Sequence, residues 1–213
     1  MCEAPLHKTE RGVCIGCLLR LPQTFFWRNP KNNEGYYRLA ALNPNLKGVV
    51  CGFWYTSGSP LRKWVQLAKY QGQPILLKVA ATFLGQLILH EGQVPLQEVR
   101  GILPMPISPE RLRQRGYNQA EWVARGLSEA LKIPLLKGYW KRIHSTASQI
   151  GKVRTERWIS LQGDFICEKK LPESVIVVDD VLTTGATLTA ALHSLPSSTD
   201  VWIITVGITQ RRS

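Results

Sequence analysis

The chain has 213 residues, 44% hydrophobic and 20% charged, with 27 Lys and Arg against 15 Asp and Glu for a net charge of +12. That size and composition fit one ordinary globular domain with an appendage, and no apolar run reaches the ~18 residues of a membrane-spanning helix. The N-terminal "MCEAPLHKTERGV" lacks the apolar core of a secretory signal. The expectation is a cytoplasmic protein whose five cysteines are thiols or metal ligands, not disulfides.

Residues 1–22 ("MCEAPLHKTERGVCIGCLLRLP") are rich in cysteine and short of core material, and read as a small zinc-knuckle-like segment. The C-x₂-C spacing of Cys14 and Cys17 lets two thiolates share one tetrahedral Zn²⁺, and Cys2 is a further cysteine in the same segment. A structural site takes four ligands; His7 and Cys51 are both open as the fourth. Residues 23–47 are aromatic and Asn/Pro-rich and read as a packed linker, with the main domain at 48–213.

The β-branched and aromatic stretch "VVCGFWYT" predicts a strand over 49–56. After the turn "SGSP", Ser59 suits an N-cap and Pro60 a first helical turn, and Leu61, Trp64, Val65 and Ala68 follow at helical spacing. A second helix is expected over 74–90. Residues 99–108 read as a short buried strand ending in a Pro-Met-Pro loop. In "PERLRQRGYNQAEWVARGLSEAL", Ala120, Val123, Ala124, Leu127 and Leu131 share one face of an amphipathic helix. Residues 142–165 are polar and basic without a period. A strand over 175–178, a helix with the stripe Leu188, Ala191, Leu192 and Leu195, and a strand over 201–208 complete the chain. Strands alternating with helices imply an α/β fold of βαβ arrangement with a mainly parallel sheet flanked by helices.

"VIVVDDVLTTGATL" carries the chemistry. Two adjacent carboxylates are costly at the end of an apolar strand unless something uses their charge. Ligands of a parallel α/β sheet bind beyond the carboxyl ends of its strands. There the hydroxyls of Thr183, Thr184 and Thr187, close backbone approach at Gly185, and the amides of a helix starting near Ala186 form a cradle for a phosphate. The spacing is neither that of a Walker A loop nor that of a dinucleotide turn. Carboxylates repel phosphate, so Asp179 and Asp180 suit sugar hydroxyls or a hydrated Mg²⁺. Together they describe a phosphorylated sugar such as ribose 5-phosphate.

These strings resemble the phosphoribosyl-pyrophosphate (PRPP) motif of type I phosphoribosyltransferases. With "LPMPISPERLRQRGYNQA", "LAKYQG" and the cysteine knuckle, the chain more narrowly resembles the ComF (competence protein F) family over nearly its whole length. The resemblance implies a Rossmann-like phosphoribosyltransferase core that binds PRPP with Mg²⁺. Asp179 and Asp180 would hold the ribose hydroxyls (Asp180 also being the one candidate for a catalytic role), and Thr183, Thr184, Gly185, Ala186 and Thr187 the 5-phosphate. The loop at 104–106 would lie near the pyrophosphate, and 142–165 would be a mobile cover. In the family's zinc pattern of two C-x₂-C pairs, Cys2 matches the second cysteine of the first pair and Met1 stands where the chain should continue backwards. Either the start lies upstream or the site is degenerate.

Arg111, Arg113 and Arg115 precede "GYNQ"; at helical spacing only Arg111 and Arg115 share a face. Arg115 is the candidate substrate contact among them, and Lys69 is either a phosphate contact or a helix C-terminal charge. The resemblance also implies a role in DNA uptake alongside competence-machinery proteins. A rival reading is a non-catalytic nucleotide sensor or single-stranded DNA-binding module. In it, basic residues and the aromatics Phe25, Phe26 and Trp27 either stack on bases or pack the knuckle onto the core.

Overall fold

The structure, a computed structural model, describes residues 12–143 and 164–210. Three strands, β1 (Leu46–Trp54), β5 (Ser174–Leu182) and β6 (Asp200–Ile208), are nine residues each and buried along almost their whole length. Such unbroken apolar runs, rather than alternating ones, are what parallel strands covered on both faces need. With the short β2 (Ile102–Pro104) they form a four-stranded parallel sheet in the order β1-β6-β5-β2, Rossmann-like in its layering.

One face is covered by α3 (Pro60–Tyr70), α4 (Ile75–Glu91) and α6 (Gln119–Leu131), which pack on Val50, Phe53, Ile102, Ile176 and Ile204. The other carries α2 (Glu34–Leu39) and α7 (Ala186–Leu192), packed through Leu39, Leu188 and Ala191 on Val49, Leu103, Val177 and Ile203. α3 forms as expected. The Ser59 hydroxyl accepts from the Arg62 amide, Pro60 opens the first turn, and Leu61, Trp64, Val65 and Ala68 are all buried. All five residues of the predicted α6 face are buried too. α4 and α6 touch closely at Gly126, where a Cβ would sit 2.3 Å from the Lys78 carbonyl oxygen.

Several expectations are corrected. β1 starts three residues earlier than predicted. β5 continues four residues past Val178, carrying both aspartates inside the strand, because β6 pairs with it as far as Leu182. α7 stops at Leu192, so Leu195 lies beyond it. The segment 23–47 holds α2 and two short 3-10 turns, and its first part covers the outer edge of β1. There the Thr24 amide donates to the Gly52 carbonyl at 3.0 Å, and the Val49 amide to the Pro30 carbonyl at 2.8 Å. An open edge would invite pairing with another chain. Trp27 is fully buried and its indole N–H donates to Glu91 at 2.9 Å, so it is not a stacking platform for bases. Phe25 remains half-exposed beneath the Arg28 guanidinium.

The first short helix, α1 (Ile15–Leu19), begins at Cys14, and Val13, Cys17 and Leu21 join the core under α3 and α4. Cys2 and His7 lie outside the described residues. Cys51 lies in mid-sheet on the face opposite to Cys14 and Cys17, and burial pushes its thiol up to about 12. A thiol held neutral on the far side of the sheet does not complete a site with them. Among the described residues, no cluster of three or more potential metal ligands is present. Nor is any helix long and apolar enough to cross a membrane. Most of the basic segment, 144–163, lies outside the described residues; its flanks pair as the antiparallel β3 (Trp140–Arg142) and β4 (Phe165–Cys167).

Candidate functional site

β2 ends at Pro104, opposite Val178, so from Asp179 onward β5 has only β6 beside it. The uncovered side opens into a cleft of about 280 Å³. Both aspartates line it. Asp179 Oδ1 accepts from the Asp180 amide at 2.8 Å, and Asp180 Oδ1 accepts from the Val181 amide at 2.7 Å. Burial first, then the charge of Asp180, pushes the Asp179 carboxyl up to about 7. The backbone amide and Lys69 pull the other way without overcoming those two effects.

Lys69 reaches the acid pair from the last turn of α3, its Nζ 2.7 Å from Asp180 Oδ2. It stands in the last turn of α3, as the helix C-terminal reading has it, and the structure adds a further role, counterion to the acids. Burial works against its ammonium, but the Asp180 carboxylate and the hydrogen bond to it outweigh burial and hold its pKa above the usual lysine value. The end of α3 is pinned there by Tyr117, whose hydroxyl donates to the Ala68 carbonyl.

The opposite wall is cationic. Ser108 caps α5 (Pro109–Arg115) by accepting from the Arg111 amide, and Gly116, at φ +77°, ends it. Arg111 and Arg115, four residues apart, both line the cleft, whereas Arg113 is exposed outside it. Arg115 donates to Gln119 Oε1 at 3.1 Å and stands 5.9 Å from the Tyr70 ring. Asn118 caps α6 and donates to the Met105 carbonyl at 2.8 Å, fixing the Pro-Met-Pro loop against the helix. Sequence reasoning missed Arg142. It enters from β3, almost wholly buried, stacked over Phe165 and paired with Asp164 at 3.4 Å. Burial lowers its pKa, Asp164 opposes that, and the charge of Arg111 adds to it. No local pattern marks Arg142, which sits where the basic segment begins.

Thr183 and Thr187 complete the lining. Thr184, Gly185 and Ala186 form the turn joining them. There the Ala186 amide donates to Thr184 Oγ1 at 3.4 Å, and Gly185 adopts φ +84°, a left-handed conformation open to glycine. The cleft thus sets four cations (Lys69, Arg111, Arg115 and Arg142) against two carboxylates, with two threonine hydroxyls at one end. It suits a ligand with several negative charges and a polar, hydroxyl-bearing middle.

No protein-family model matches the chain. It is 29% identical over 202 residues to Competence protein F of Haemophilus influenzae, covering 88% of this chain and 85% of that one. Competence protein ComFC of Streptococcus pneumoniae is 29% identical over 136 residues, 63% of this chain and 56% of that one. These relatives, named for competence, support a place for the chain beside the ComF proteins. DNA utilization protein YhgH of Salmonella typhimurium is 23% identical over 205 residues, 88% of this chain and 86% of that one. The strings that carried the resemblance converge in space. "LAKYQG" supplies Lys69, "ERLRQRGYNQ" supplies Arg111, Arg115 and the Asn118 cap, and "DDVLTTGAT" supplies the acids and the turn, all around one cleft.

Proposed function

We propose that the chain binds PRPP, or another ribose 5-phosphate compound, in this cleft and serves DNA uptake in natural competence as a phosphoribosyltransferase. One observation carries the reading: the acid pair and the threonine turn share a cleft with four cations. The ribose hydroxyls would lie on Asp179 and Asp180, the 5-phosphate on the 183–187 turn, and the pyrophosphate against Arg111, Arg115 and Arg142. Guanidiniums hold phosphate oxygens in paired bonds and keep their charge when buried.

The acid pair fits Mg²⁺, which takes hard oxygen ligands, usually one or two carboxylates together with substrate phosphates. Bound there with PRPP, the ion would neutralise charge on the pyrophosphate. Lys69 supplies the counter-charge at Asp180 and would have to yield its place. In the transfer, the bond from the anomeric carbon to the pyrophosphate oxygen breaks, the pyrophosphate leaves with the electron pair, and an acceptor nucleophile forms the new bond. The chain's part is positioning and charge stabilisation. Cys14, Cys17 and Cys2 would hold a structural Zn²⁺, checked by elemental analysis.

Calorimetry with PRPP and Mg²⁺ tests the reading: wild-type protein binds, and the Asp179→Asn/Asp180→Asn double variant does not. Equal affinity in both would refute it. Exchange of labelled pyrophosphate into PRPP, which needs acceptor and turnover, separates a transferase from a module that only senses nucleotides.

A further inference from the structure

We propose that Arg38, on α2, is a positioning residue for the phosphate-binding turn, which makes the segment before β1 part of the ligand site. The inference rests on the phosphoribose reading and goes beyond it by assigning a residue outside the cleft.

Arg38 is drawn inward: its side chain is only 3% exposed. One terminal nitrogen donates to the Thr183 carbonyl at 2.5 Å and to Thr209 Oγ1 at 3.3 Å. The other bonds the Thr209 carbonyl and the Glu34 carboxylate one helical turn back. Thr183 is the first residue after β5 and Thr209 the first after β6. The Thr209 amide in turn donates to the Leu182 carbonyl at 3.0 Å. One guanidinium therefore ties together the ends of both central strands at the point where the turn departs. A planar group with several fixed donors suits this task, and a lysine's single nitrogen cannot reach all these acceptors together.

α2 is itself held rigidly. Asn33 caps it by accepting from the Tyr36 amide at 3.0 Å, and donates to the Val49 carbonyl of β1 at 2.9 Å. Gly35 brings the helix so close to β1 that a Cβ there would stand 3.0 Å from Cys51 Sγ. The next residue after Arg38 makes a second contact with the turn: a Cβ on Gly185 would lie 2.7 Å from a methyl of Leu39. The turn is thus gripped by a polar contact at its first residue and a steric one at its third, both from α2. Because hydrogen bonds to a phosphate weaken steeply once donors leave their distance and angle, this grip sets how well the turn receives a phosphate.

The test compares wild type, Arg38→Gln and Arg38→Lys by calorimetry against ribose 5-phosphate, which needs the turn, and Mg-pyrophosphate, which needs the arginine wall. Amide hydrogen exchange of residues 183–188 is measured without ligand. The expected result is a loss of about 10- to 100-fold in ribose 5-phosphate affinity in Arg38→Gln, the worth of about one hydrogen bond to a charged phosphate. Mg-pyrophosphate affinity should hold, exchange should quicken in the turn alone, and Arg38→Lys should recover part of the loss. Equal losses for both ligands with exchange raised throughout would show a general scaffold residue and overturn the inference. So would unchanged ribose 5-phosphate affinity. If wild type binds neither ligand, the phosphoribose reading falls and the exchange comparison alone decides for or against the clamp. If Arg38→Gln does not fold, Arg38→Lys, which keeps the charge and one donor, carries the same comparison.

Discussion

Replacing Lys69 with methionine removes the cation from the acid pair and keeps the apolar stem. The ion pair spans 2.7 Å between a lysine side chain 26% exposed and an aspartate side chain 10% exposed. At an effective dielectric of about 20 its gross attraction is about 6 kcal/mol, and the desolvation of both ions returns several kcal/mol of that. Leaving one partner buried and unpaired costs about 3–5 kcal/mol. The acid pair has an escape: one carboxyl takes up a proton. Against an unfolded carboxyl of about 4, that costs roughly 1.4 kcal/mol at pH 5 and about 5 kcal/mol at pH 8. The variant follows whichever route is cheaper. The penalty should therefore be about 1–2 kcal/mol at pH 5 and grow to about 3–5 kcal/mol at pH 8. The sign is fixed by linkage. A carboxyl whose pKa is raised in the folded state keeps a proton that the unfolded chain has released, so stability falls as pH rises from about 4 through the raised value. Wild type already shows the trend in Asp179, held up to about 7, and Lys69 limits it. Urea midpoints at pH 5, 6, 7 and 8 for both proteins measure the effect. A penalty that does not change with pH would refute the reasoning.

On the proposed reading, PRPP and Mg²⁺ would bind the ionised carboxylates. The affinity should rise with pH by up to about tenfold per unit below the Asp179 value of about 7 and level off above it, and Asp179→Asn should flatten the slope, as calorimetry at several pH values would show. Gly126→Ala should cost about 2 kcal/mol or more, because the added methyl meets the Lys78 backbone 2.3 Å away, whereas Gly72→Ala, with open space around it and φ +67°, should cost about 1 kcal/mol; urea midpoints measure both. Trp27→Phe keeps a ring in the core and should leave any single-stranded DNA affinity, read by fluorescence anisotropy, unchanged; a selective loss would put Trp27 back among the base contacts.

What the sequence revealed divides along the range of the interactions. α3 was legible because its cap, its proline and its buried stripe lie within eleven residues that specify one another locally. The acid-threonine turn was legible because its chemistry is contiguous. The length of β5 was not, since two aspartates disfavour a strand and only pairing with β6 carries it to Leu182. The aromatic run before β1 carries too little period to show which ring faces the core, and burial of Trp27 depends on Glu91, 64 residues away. The site shows the same division. Each string that suggested a ligand supplied one or two groups, and assembly added partners that no string shows: Lys69 is paired with an acid 111 residues later. Arg142 and Arg38 carried no signal because an arginine's role depends on which carbonyls and carboxylates the fold brings to it. A cleft built from α3, α5, β3 and β5 draws its charge balance from four places in the chain, so a pattern confined to any one of them understates the site. In the uncovered side of β5, by contrast, a parallel sheet ending beside a shorter strand leaves its last acids facing a gap, and that much follows from topology once the strands are paired.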